Sequence, residues 1–138
     1  MGEVFVHEQL VRFAHCDPAG IVYFPRFFDL AHTVMEDWLA QGVGASLPAL
    51  IRGQRIGTPT VSIHCDFSQP MRMGDTLRFE LRVLRMGRSS VELDYQGFHD
   101  KALCLRIAQT IVFMDLDKAR SVAIPDELRP RIERYLPA

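Results

Sequence analysis

The stretch His15-Cys16-Asp17-Pro18-Ala19-Gly20-Ile21-Val22-Tyr23-Phe24-Pro25 sets a carboxylate in a turn directly ahead of a segment with helical apolar spacing. A carboxylate in such a place can attack an acyl carbon or take a proton from water. The first turn of the following helix supplies unpaired N–H groups and partial positive charge, which suit an oxyanion that grows during acyl transfer. By residue type alone Asp17 is also an ordinary turn aspartate before proline. His15 and His32 read as hydrogen-bonded, partly buried imidazoles. Cys16 lacks an evident histidine partner and reads as packing. His64 and Asp66 share one strand face, but two ligands without a third make a surface pair, so no metal site is predicted.

The elements that must position Asp17 follow from the apolar periods. Phe5 to Phe13 reads as a first strand ending at the Pro18-Gly20 turn. After Pro25, which suits a helix's first turn, Phe27, Phe28, Ala31, Val34, Met35 and Trp38 recur at helical spacing. This helix stops at Gly42 and Gly44. Ala45 to Gly57 reads as a looser connection. Thr60 to Phe67 alternates as a half-buried strand, and Leu77, Phe79, Leu81 and Val83 mark the clearest strand of the chain. Val91, Leu93 and Tyr95 form a fourth, with a bulge at Gly97-Phe98. Leu103 to Met114 is apolar at nearly every position, which predicts a central strand covered on both faces. A turn over Asp115 to Ser121 and a short terminal helix, interrupted at Pro130, close the chain. One long helix packed on a five-stranded antiparallel sheet follows, an α+β fold whose short connections favour sequential neighbours. A single helix leaves the sheet's other face or edge open, which predicts a homodimer or a dimer-of-dimers tetramer.

With 138 residues, the chain fits one domain spanning 1–138. Its 48 % apolar and 24 % charged residues are those of a folded globular protein. A net charge of −1 gives no bulk attraction for nucleic acid or anionic lipid. The start of the chain lacks a basic n-region followed by an apolar run, and no apolar stretch approaches the ~20 residues of a membrane span. Three cysteines without paired spacing fit a reducing cytoplasm.

Asp17-Pro18-Ala19-Gly20-Ile21-Val22 with Pro25 closely resembles the signature of the 4-hydroxybenzoyl-CoA thioesterase family. Pro70 with Gly74-Asp75, and Gly87-Arg88-Ser89-Ser90, resemble further landmarks of that family in the same order. The resemblance implies the hot dog fold and hydrolysis of an acyl-CoA, an aromatic or small acyl group being favoured. It implies Asp17 as nucleophile or general base and the backbone N–H at Phe24 as oxyanion donor. Gly20, Tyr23 and His32 would contact substrate, and Arg88, Ser89 and Ser90 the phosphates or nucleotide of coenzyme A. No cofactor is required, coenzyme A being part of the substrate. At position 32 some relatives are expected to carry an acid that meets the substrate hydroxyl, so His32 leaves the acyl group open. A hydratase of this fold would pair its acid with a histidine five residues on, where this chain has Val22. A non-catalytic acyl-CoA-binding protein of the same fold is the other alternative.

Overall fold

The structure is a computed structural model and describes residues 2–138. β1 (Phe5–Leu10) leads through a 3-10 turn at Phe13–His15 to α1 (Arg26–Asp37), which runs on as π-helical turns over Trp38–Val43. A second π-helical stretch, Ala49–Gln54, precedes β2 (Ile56–Gly57), β3 (Thr60–Phe67), β4 (Thr76–Met86), β5 (Ser90–His99) and β6 (Ala102–Val112). Then come β7 (Met114–Asp115), β8 (Arg120–Ser121) and α2 (Arg129–Glu133). The main sheet has the order β1-β4-β5-β6-β3, with every neighbouring pair antiparallel. β2, β7 and β8 form a separate small ribbon. This is the predicted α+β hot dog architecture, one long helix against a five-stranded sheet.

The core joins one face of that helix to one face of the sheet. Phe27, Leu30, Ala31, Val34, Met35 and Trp38 share it with Leu77, Phe79, Leu81 and Val83 of β4 and with Leu93, Tyr95, Leu105 and Ile107. Each of the larger aliphatic side chains and Phe contributes roughly 1.5–3 kcal/mol by leaving water. Gly44, at φ 84°, takes the left-handed conformation that ends the helical run. Arg131 and Arg134 then donate to the freed carbonyls of Val43 and Gly42.

Several predicted details differ. β3 is not half-buried: Val61, Ile63 and Phe67 are exposed, because β3 is an edge strand that the helix covers only in part. Nor do β3 and β4 pair; β3 crosses to the far side of the sheet and pairs with β6. β6 is interior in the sheet but alternates between buried and open positions, since a single helix covers one face. The connection over residues 45–57 carries helical turns and β2. Pro130 lies in the first turn of α2 and opens that helix, where its missing N–H costs nothing. The bulge at Gly97-Phe98 is present as a register shift against β6.

Candidate active site

The Asp17 turn is a small hairpin held at both ends. Cys16 and Val22 pair across it, the Asp17 N–H donates to Ile21, and the Gly20 N–H donates to Asp17. Gly20 sits at φ 80°, a conformation that glycine adopts without a Cβ penalty. The Asp17 carboxylate accepts the Ala19 N–H at Oδ1, 2.8 Å, so the turn aspartate role is real. That bond occupies one oxygen and leaves Oδ2 as a second acceptor. The β3–β4 crossing seats the hairpin: Val22 donates to Met71, and Met73 donates to Gly20.

From this hairpin the chain enters α1. The N–H groups of Tyr23, Arg26, Phe27 and Phe28 are all bonded, to His15, Tyr23, Phe24 and Pro25 respectively. Among the described residues the Phe24 N–H has no acceptor, and it lies at the positive end of the helix. Phe24 and Tyr23 are exposed, their rings edge to face at 5.7 Å. Phe24 and Phe27 also meet Phe67 of β3, at 6.5 and 5.3 Å between ring centroids. Ile21, Phe24, Phe27, Phe67 and Met71 wall an apolar cleft of about 310 Å³ beside this helix start. A carboxylate, a free N–H donor and an apolar wall within a few residues can hold a carbonyl group and deliver an oxygen to it.

His15 fixes the other side of the turn. Its Nδ1 accepts the Arg12 N–H at 2.9 Å. Burial, then the positive charges of Arg12 and Arg26, hold its pKa below the ordinary histidine value, which keeps it neutral for that bond. Cys16 donates to the Arg12 carbonyl and packs at the core's rim. Burial and Asp66 push the Cys65 thiol up to about 11. His64 and Asp66 form an exposed pair at 3.2 Å, and no group of three or more His, Cys, Asp or Glu converges among the described residues.

His32 lies two turns beyond Phe24 on the exposed side of α1, 3.5 Å from Glu36. It borders two clefts. The larger, about 570 Å³, also has Glu36, Pro48, Ile51 and Arg52 on its walls. The smaller, about 270 Å³, lies between α1 and β3 and is lined by Phe28, Ala31, Thr60, Ile63 and Gln109. Gln109 was not foreseen, because one polar residue inside the apolar run of β6 carries no spacing signal of its own.

Arg88, Ser89 and Ser90 form the β4–β5 turn, with the Gly87 N–H bonded to Ser90. The Ser89 and Arg88 carbonyls accept from Phe113 and Ile124. This turn does not join the Asp17 end of the same chain. β4 begins beside that end, where Asp75 accepts from Val11, and runs eleven residues to Met86. The two groups therefore lie beyond opposite ends of β4, a strand about 33 Å long.

No helix among the described residues is long and apolar enough to cross a membrane. A family model described as the thioesterase-like superfamily matches residues 11–132. The chain is 31 % identical to a 1,4-dihydroxy-2-naphthoyl-CoA hydrolase of Thermosynechococcus vestitus, over 88 % of this chain and 84 % of that protein. A crystal structure of a thioesterase superfamily protein from Jannaschia superposes with TM-score 0.90 at 30 % identity, covering 98 % of this chain and 94 % of that one. A 1,4-dihydroxy-2-naphthoyl-CoA thioesterase from Synechocystis does so with TM-score 0.86 at 26 % identity, covering 94 % and 96 %. The hot dog layers, the acid-bearing hairpin at the head of α1 and these likenesses agree, and the chain belongs to the thioesterase-like superfamily of hydrolases.

Proposed function

We propose that the chain, as one domain over residues 1–138, hydrolyses the thioester of an aromatic acyl-CoA to the free acid and coenzyme A. The observation that carries this reading is the unpaired Phe24 N–H at the head of α1, beside the hairpin that presents Asp17. The substrate carbonyl oxygen accepts from Phe24. Asp17, through Oδ2, serves as base for water or as the attacking oxygen itself. On the water route, the new C–O bond forms as the C–S bond breaks. The proton taken by Asp17 then passes to the departing sulfur. The aromatic acyl group is supported by the activity of relatives, which act on 1,4-dihydroxy-2-naphthoyl-CoA, and by the aromatic walls of Phe24, Phe27 and Phe67. That moves the substrate preference from a single hydroxylated ring towards a fused one. Unpaired Cys16, Cys65 and Cys104 fit a reducing cytoplasmic setting.

The working unit is a homodimer paired through β3, or a tetramer of such dimers. The Phe67 end of β3 touches Phe24 and Phe27. The Thr60 end pairs with Ile111, which pairs with Val91, next to the Arg88–Ser90 turn. Antiparallel pairing of β3 with its copy sets the Phe67 end of one chain beside the Thr60 end of the other. Asp17 of one chain and Arg88 of its partner thereby come to serve one substrate, the guanidinium taking the phosphates.

A panel of benzoyl, 4-hydroxybenzoyl, 1,4-dihydroxy-2-naphthoyl, phenylacetyl, short-chain and long-chain CoA esters, read by released thiol, tests the reading. Fastest turnover is expected on an aromatic member. Asp17→Asn should lower it about 10²–10⁴-fold with the fold and oligomer intact. Wild-type rates from Asp17→Asn, or no hydrolysis of any member by the wild type, would overturn it.

A further inference from the structure

The β4–β5 turn is held from behind by a residue far along the chain. Arg129, at the start of α2, donates through Nη2 to the Gly87 carbonyl at 2.5 Å and to the Arg88 carbonyl at 3.5 Å. The Ile124 N–H is a second donor to Arg88, at 2.9 Å. α2 is a firm base for this grip: Leu128 and Ile132 are buried in the core, and Arg131 donates to the Val43 carbonyl. The peptide bonds of the turn are trans, so each N–H points opposite to the C=O of its own peptide plane. The Gly87 carbonyl shares its plane with the Arg88 N–H, and the Arg88 carbonyl with the Ser89 N–H. Drawing both carbonyls towards the 124–129 segment therefore turns two successive N–H groups away from it. Neither N–H has a backbone acceptor among the described residues. Successive N–H groups that face one way attract an anion, and a guanidinium behind their carbonyls polarises the same peptide units further.

We propose that Arg129 is a positioning residue for coenzyme A: by holding the Gly87 and Arg88 carbonyls it aims the Arg88 and Ser89 N–H groups at the phosphates that the Arg88 side chain captures. The proposal rests on the thioesterase reading, which brings phosphate to this turn, and adds the residue that gives the turn its shape. A loose turn would have to order these groups on binding, at a cost in affinity that Arg129 removes beforehand. Gly87 permits the tight fold, since a Cβ there would meet the Ser90 hydroxyl at 2.6 Å. Arg129 touches the turn and not the thioester, so its loss is felt in binding while the chemistry at Asp17 is untouched.

The test titrates the isotope-labelled full chain with free coenzyme A and with pantetheine, which lacks the phosphates and the nucleotide, and reads amide resonances by NMR and Kd by calorimetry. In the wild type, coenzyme A should shift the Arg88 and Ser89 amide resonances downfield, and pantetheine should leave them in place. Arg129→Met keeps an apolar stem without the donors. It should weaken coenzyme A about five- to tenfold and raise KM for an acyl-CoA in step, with kcat and the acyl-pantetheine thioester unchanged. Arg129→Lys should recover most of the affinity, because one nitrogen makes both contacts and an ammonium can replace it. Thermal melts check folding, and Arg129→Gln, neutral and too short to reach the turn, carries the test should Arg129→Met not fold. Wild-type affinity in a folded neutral variant, a fall in kcat alongside the rise in KM, no recovery with lysine, or Arg88 and Ser89 amides that ignore coenzyme A overturns the proposal even where hydrolysis is normal. Arg129-dependent binding of coenzyme A without hydrolysis of any thioester would uphold it and sink the thioesterase reading instead.

Discussion

The two ends of the main sheet are built differently. At the Asp17 end a hairpin, a strand crossing and a helix start are tied by backbone bonds into one rigid corner with an apolar wall. At the other end the Arg88–Ser90 turn has bonded carbonyls, but its guanidinium is exposed and without an ionic partner among the described residues. A corner of fixed donors suits bond-breaking, which needs geometry held in advance. An exposed cation on a short turn suits capture of a mobile phosphate chain. The strand between them keeps them apart within one chain, so a joint role requires a second.

The largest effect that could break this comparison comes from the edge between the ends. Ile63→Lys places a charge in the middle of exposed β3, where one chain loses little packing. It should yield a folded monomer with hydrolysis reduced about 10²-fold or more, checked by sedimentation and thiol release. A fully active monomer would show that each end works alone. Next, Arg88→Ala should raise KM for an acyl-CoA about three- to tenfold at unchanged kcat, and leave the acyl-pantetheine thioester unaffected. Mixing Arg88→Ala chains with Asp17→Asn chains should restore turnover at low KM, since one site of the mixed dimer then holds both native groups.

Smaller effects probe the rigid corner itself. Gly20→Ala meets open space, so only its positive φ is penalised, by about 1 kcal/mol. A melting point lower by several degrees and a modest fall in kcat are expected. The smallest effect is a pH dependence of the His15 turn. Its folded pKa lies below the unfolded one, so the unfolded chain binds more protons between them and stability rises with pH there. The contribution is complete above the ordinary histidine pKa and is lost as pH falls through the lowered one. NMR titration of the His15 ring should show the low midpoint, and His15→Asn should remove this part of the pH profile.

β4 and β3 mark how far pattern reading reaches. Both alternate apolar and polar residues, and both form strands where predicted. Leu77, Phe79, Leu81 and Val83 are buried as expected, while Val61, Ile63 and Phe67 stand open. Alternation reports that a face is meant to be covered, but it does not say by what: β4 meets its own helix closely, and β3 is covered only in part within the chain. The Asp17 hairpin was legible because proline, glycine and an acid in a fixed order have few structural uses. The free Phe24 N–H followed from the resemblance, and its lack of an acceptor became visible only once Tyr23 and Arg26 to Phe28 had found theirs.

Local order in the chain was enough to define the strands, the long helix, the turn acid and the excess of uncovered apolar edge. Each depends on neighbours a few residues apart, where backbone geometry and burial period act directly. The sheet order, the placing of Asp17 and Arg88 beyond opposite ends of β4 and the lock of Tyr95 on Gln109 depend on pairings between distant segments. Gln109 is 49 residues from Thr60 and 14 from Tyr95. No periodicity encodes such a meeting, because it exists only when β3 crosses the sheet to lie beside β6.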